Sequence, residues 1–214
     1  MPPPRPTGRR YPLLSTAGLH RVVVAAPALF TAGWIWSGNR TPDVPHASRS
    51  ISALSAAGQP CPLPALAGQT AQGLAQLGNA ELARRAGMRP LALALALSGL
   101  GTLLSTVAPL QEPGGRPWVE RVHVWAAGTG MVALHAAPLA ALAEPGLPRW
   151  SRRGAVASLS VAVPATGYFV HRLGLHGGVG TAYGYAERMF LTALLSWTTS
   201  LAAAYPDQDQ DHAA

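Results

Sequence analysis

The side chains best equipped for chemistry in this chain are an adjacent carboxylate and guanidinium, Glu187 and Arg188, lying behind Tyr183 and Tyr185 in an otherwise apolar stretch. A charge in such a stretch is costly unless it faces protein or water, so the pair reads either as a functional site or as a structural tether. Close to a membrane interface the arginine would simply snorkel. Ser52 and His123 join them as a candidate cluster, in which His123 and Glu187 would hold a metal or activate water. Ser52 belongs to Arg49-Ser50-Ile51-Ser52, where an attacking hydroxyl needs a neighbouring base. No G-x-S-x-G elbow occurs, and serines in that setting also serve as helix caps or turn formers.

The histidines invite a metal reading, and spacing argues against most versions of it. His123 and His135 stand on one expected helix about 18 Å apart along its axis, too far to share an ion. His171 and His176 straddle a glycine-rich helix end, which is not ligand spacing on a single helical face. A site joining His46, His123, His171 and Glu187 from different segments stays open, yet no pattern demands it, and neither a metal nor a cofactor is expected. His135, alone on an apolar helix, reads as a hydrogen-bonded buried imidazole or as part of a proton relay. Gln69, Gln72, Gln76 and Asn79 recur at helical spacing and form one polar stripe. That stripe must face protein or water, and with His135 it is the candidate lining of a polar path.

The elements that must position these residues are membrane helices. Charged residues make up 12 % of the 214, about half the roughly 25 % usual in soluble domains. Long charge-free runs are separated by arginine clusters at Arg9 and Arg10, at Arg84, Arg85 and Arg89, and at Arg149, Arg152 and Arg153. The fold expected is an all-α polytopic bundle of about six transmembrane helices, near 19–37, 65–83, 90–110, 122–143, 154–172 and 181–205. A disordered Pro/Arg-rich arm, 1–18, precedes this domain of 19–205, and an acidic tail, 206–214, follows. Trp34 and Trp36 fall at the far interface of the first helix, where indoles are enriched. Pro164 sits inside the fifth span, where neighbouring helices can satisfy the freed carbonyl.

Topology turns on the polar second helix. If 65–83 did not cross, the clusters at Arg84 to Arg89 and Arg149 to Arg153 would lie outside, against the positive-inside bias. If it crosses, the arm and both arginine loops are cytoplasmic and both termini lie inside. That places Asp43, His46, Ser50, Ser52, Glu112, Glu120, His123, His171, His176, Glu187 and Arg188 towards the outer face of a cytoplasmic membrane. The N-terminus has the charge order of a signal peptide without a convincing cleavage site, and reads as an uncleaved first helix. The twin arginine offers a second reading as an export address. The net charge of +7 is parcelled between spans and forms no stripe, so the expected partners are membrane lipids and not nucleic acid. The single cysteine, Cys61, excludes an intramolecular disulfide.

Several short motifs follow one another along the chain: Ile51-Ser52-Ala53-Leu54 followed by Gly58-Gln59-Pro60, then Gly99-x-Gly101, then Pro109 followed by His123, and finally Gly184-x-x-Glu187-Arg188. In this order they resemble the prokaryotic membrane proteins grouped as domain of unknown function 998. The likeness runs from about Ala25 to Ala203 and rests on the order of the motifs. It implies a compact bundle of about six membrane helices with recurrent polar positions on the outer side, and no established reaction, substrate or cofactor. The functions consistent with these residues are a non-catalytic binder of a lipid, small amphiphile or membrane partner, a membrane-embedded lipid hydrolase, and a small transporter. Convergence of His123, Glu187 and another histidine favours the hydrolase. A continuous cavity along Gln69, Gln72, Gln76 and His135 favours the transporter.

Overall fold

A computed structural model describes residues 15–41, 48–111, 115–176 and 182–205, apart from the side chains of residues 175 and 176. Asp43, His46, Glu112, the side chain of His176, most of the N-terminal arm and the acidic tail lie outside these residues. The described residues form seven helices and no strand: α1 (Thr16–Asn39), α2 (Ile51–Leu54), α3 (Leu63–Arg85), α4 (Arg89–Val107), α5 (Pro117–Leu142), α6 (Arg149–His176) and α7 (Tyr183–Ala202).

Local chemistry sets the helix ends. Ser15 Oγ accepts from Gly18 N at 3.1 Å and caps α1. Proline stands in the first turn of α3, α4 and α5, where a missing N–H costs nothing. This is why α5 begins at Pro117, a turn earlier than the apolar run predicts. At the end of α4, Pro109 disfavours helical backbone at Ala108, so the helix stops at Val107 and not near residue 110. Behind α3, Gly87 takes φ of 79°, while Met88 N donates to Ala83 O and Gly87 N to Arg84 O. These two bonds are a Schellman stop. α6 is longer than the expected 154–172 because Arg149, Arg152 and Arg153 join its first turns.

The six long helices alternate in direction. α1 packs on α3, α3 on α4, α4 on α5, and α6 on α7, while α7 closes back against α1 and α3. One end gathers α2 with the C-terminus of α1 and the N-terminus of α7; the other gathers the arginines of α3, α4 and α6. Close helix approach runs through glycine. An added Cβ at Gly68 would come 2.8 Å from Phe30 Cα, at Gly99 2.8 Å from Gly73 O, and at Gly101 2.6 Å from Ala126 O. Gly99 therefore faces α3 and Gly101 faces α5, so one short motif docks α4 on both neighbours.

The packing has membrane polarity. Gln69, Gln72, Gln76 and Asn79 are buried, whereas Val24, Leu93, Leu104, Trp125, Val132 and Val163 lie exposed on the perimeter. A soluble bundle would present the reverse pattern, and exposed apolar surface of this extent is the mark of a lipid-facing wall. α1, α4 and α5 are long and apolar enough to cross a membrane by their own composition. α3, α6 and α7 match them in length but carry the buried amides, the arginines or the Glu187–Arg188 pair. The chain is thus an all-helical membrane bundle.

Candidate functional site

The site is built where α7 begins. Ser50 caps the single-turn α2 by accepting from Ala53 N at 3.1 Å, and Ile51 buries its side chain beside Phe30 and Phe190. Glu187 Oε2 accepts from Ile51 N at 2.5 Å. Arg188 Nη1 donates to Gly184 O at 2.7 Å and to Arg49 O at 3.0 Å. Adjacent residues on a helix point about 100° apart, so the carboxylate takes a backbone donor and the guanidinium a backbone acceptor from the same short segment. The pair clamps residues 49–51 at two points. Ala57 N to Leu110 O, 3.0 Å, ties the same loop to the end of α4. Ser52 is half-buried on α2, and its carbonyl accepts from Ser55 Oγ.

Arg188 has more to give than this clamp uses. The residue is 7 % exposed, and its Cζ lies 4.7 Å from the centroid of the Trp34 ring, a cation–π contact. Its Nε and Nη2 are buried with no hydrogen-bond partner among the described residues. Arg188 lines a cavity of about 60 Å³ between α1 and α7. Trp34, Thr31 and Phe30 wall it on one side, with Arg188, Leu191 and Thr192 on the other. Thr31, Thr192 and Ser196 are also exposed, which opens the crevice on the perimeter of the bundle.

His123 serves a different purpose. It is buried, and its Nδ1 lies 3.0 Å from Ser105 O and 2.9 Å from Ala108 O, so it donates to carbonyls left free where α4 ends. His123 and Glu187 therefore spend their polar atoms on different backbone segments. Among the described residues no three His, Cys, Asp or Glu side chains form a metal-binding group. The four-residue version with His46 includes a residue outside that set. His171 and Glu120 are exposed.

The polar lining divides as well. Gln69 Nε2 donates to Ser55 Oγ at 3.0 Å, and Asn79 Nδ2 donates to Thr198 O at 2.9 Å, joining α3 to α2 and α7. Gln72 Oε1, Asn79 Oδ1 and both amide atoms of Gln76 have no partner among the described residues. His135 turns elsewhere: Nδ1 donates to Met131 O, Nε2 accepts from Thr166 Oγ1, and the ring packs on Phe190. It is a satisfied imidazole linking α5 to α6. Because the Asn79 amide holds a helix in an apolar setting, Asn79→Leu is expected to lower stability by about 0.6–1.7 kcal/mol. Gln76→Met, which removes an amide with no protein partner, is expected to leave stability unchanged or raise it. Chemical unfolding in detergent micelles compares the two, and a larger loss for Gln76→Met would show that this amide is engaged.

Sequence reasoning singled out Arg188 and missed the groups around it. Arg188, Thr192 and Ser196 are spaced four apart on one face of α7, a polar line legible in the sequence. Trp34 read as an interfacial indole and proves to be the platform under the guanidinium. The family model described as "Protein of unknown function (DUF998)" matches residues 24–204. No curated protein and no solved structure matches the chain.

Proposed function

The chain belongs to the DUF998 family, and from that premise we propose that it is a multi-pass protein of the cytoplasmic membrane that binds a lipid or small amphiphile without transforming it. The observation that carries this reading is the crevice between α1 and α7, where a cation with two unpaired nitrogens stands among hydroxyls and the apolar side chains of Pro27, Phe30, Leu191 and Leu195. A ligand with a polar head and a hydrocarbon tail matches that combination. Leu191 and Leu195 would meet the tail, and Trp34 and Arg188 the head. A larger hollow of about 780 Å³ between α4 and α5 is apolar apart from Thr129, and so suits bulk lipid without selecting a head.

Arginine placement supports six spans with both termini inside, since α3 must then cross and the clusters at its end and at the start of α6 share the cytoplasmic face. The α2 end, with its crevice, then faces outward. A hydrolytic reading has less support, because Glu187 and His123 are committed to backbone groups that hold the fold.

Purification in mild detergent followed by native mass spectrometry tests the proposal. Wild type is expected to retain one amphiphile per chain, and Thr192→Phe, which fills the crevice, to lose it. Stoichiometric zinc with no retained amphiphile would overturn the reading in favour of a metal-dependent enzyme.

A further inference from the structure

We infer that the head group recognised in the α1–α7 crevice is an oxyanion, a phosphate or carboxylate held by two parallel hydrogen bonds from Arg188; this rests on the amphiphile reading above. The two nitrogens without partners are Nε and Nη2. They form the side-on edge of the guanidinium, whose N–H bonds point the same way and match the two oxygens of a phosphate or carboxylate. The third nitrogen, Nη1, is spent on Gly184 O and Arg49 O, which fixes the plane of the group. Trp34 covers one face of that plane. The side chain is therefore held before a ligand arrives, with its recognition edge unpaired and buried next to the crevice that Arg188 lines.

Desolvation makes the free edge costly. Arg188 is 7 % exposed as a residue, and its two unmatched donors lack both hydration and protein acceptors. Glu187, the nearest carboxylate in sequence, gives Oε2 to Ile51 N, and no ion pair of Arg188 occurs among the described residues. An entering anion would supply acceptors for both donors. The cavity that Arg188 lines is about 60 Å³, several times the space one water requires, so it has room for a small polyatomic head. Thr31 and Thr192 stand where further oxygens of such a head would accept hydroxyl donors.

The test titrates purified full-length protein in maltoside detergent with dodecyl phosphate, dodecanoate, dodecanol and inorganic phosphate, and reads binding by calorimetry and by thermal shift. Dodecyl phosphate and dodecanoate are expected to bind at least tenfold more tightly than dodecanol. Arg188→Lys, which keeps a charge and loses the fork, is expected to abolish that preference. Equal binding of all three amphiphiles in wild type would overturn the oxyanion inference and leave the amphiphile reading standing. Inorganic phosphate binding as tightly as dodecyl phosphate would keep the oxyanion site and overturn the amphiphile reading, pointing to a soluble anion. Binding of none would overturn both. Thermal unfolding of Arg188→Lys without ligand checks that the variant is folded.

Discussion

Gly33→Ala is expected to be the most destabilising single-methyl addition in the bundle. A Cβ at position 33 would lie 2.2 Å from Pro64 O and 3.0 Å from Pro64 C. These are backbone atoms at the start of α3, so no side chain can rotate away, and α1 must move bodily off its neighbour. The facing glycine closes off the alternative, because Gly68 already sits against Phe30 Cα and Leu29 O. Overpacking of this kind costs up to about 3 kcal/mol, and here the strain spreads along the whole α1–α3 contact. Gly128→Ala and Gly167→Ala are the controls, since nothing stands within 4 Å of either added Cβ. Both should gain about 0.5–1 kcal/mol from reduced backbone entropy in the unfolded chain. Unfolding in mixed micelles distinguishes them; a Gly33→Ala protein as stable as Gly128→Ala would mean that α1 and α3 do not meet on this face.

Glu187→Ala is expected to release the loop that carries α2. The carboxylate is the partner of Ile51 N at the first residue of α2, and both groups are buried. Removing a charged acceptor and orphaning a buried N–H costs about 2–3 kcal/mol. Arg188 would keep Arg49 O, so the segment should loosen locally before the bundle unfolds. The chain's single thiol, Cys61, is half-buried further along the same loop and reports the event without engineering. In intact cells a membrane-impermeant maleimide should label Cys61 several-fold faster in Glu187→Ala than in wild type, with Glu187→Gln intermediate because an amide oxygen still accepts. An unchanged rate would mean that the Glu187 contact does not hold the loop, and labelling only after cell lysis would invert the proposed sidedness.

Both predictions show how differently parts of this molecule are written in its sequence. The all-helical membrane fold was legible because continuous apolar runs of helix-spanning length, without the alternation of barrel strands, can pair their backbone polar groups in hydrocarbon only within each segment. The stripe of Gln69, Gln72, Gln76 and Asn79 was legible as an inward face for the same reason, and its burial follows. Helix ends were less legible where proline shifts them, as at Pro109 and Pro117. The four-residue α2 was not foreseen, since one turn has no periodicity to read and depends on Glu187 and the Ser50 cap for its start.

The candidate site was legible only as an inventory. Glu187 and Arg188 ranked first as charges in an apolar stretch, with Ser52 and His123 beside them, but spacing could not say which of the four the fold would use up. Tertiary structure separates them by what each hydrogen bond reaches. Glu187 is used by Ile51, His123 by the end of α4, His135 by Met131 and Thr166, and Arg188 is left with two free donors beside a cavity.

By itself, then, the sequence determined the solvent this protein lives in, its helical class and which helix faces turn inward, because those follow from local hydropathy and backbone satisfaction along one segment at a time. Only the tertiary structure decided which of the charged groups at the start of α7 keeps unspent donors. That is a property of partners 136 and 139 positions away in the chain, Ile51 for Glu187 and Arg49 for Arg188. Whether a donor is satisfied depends on geometry to a few tenths of an ångström, which no periodicity carries.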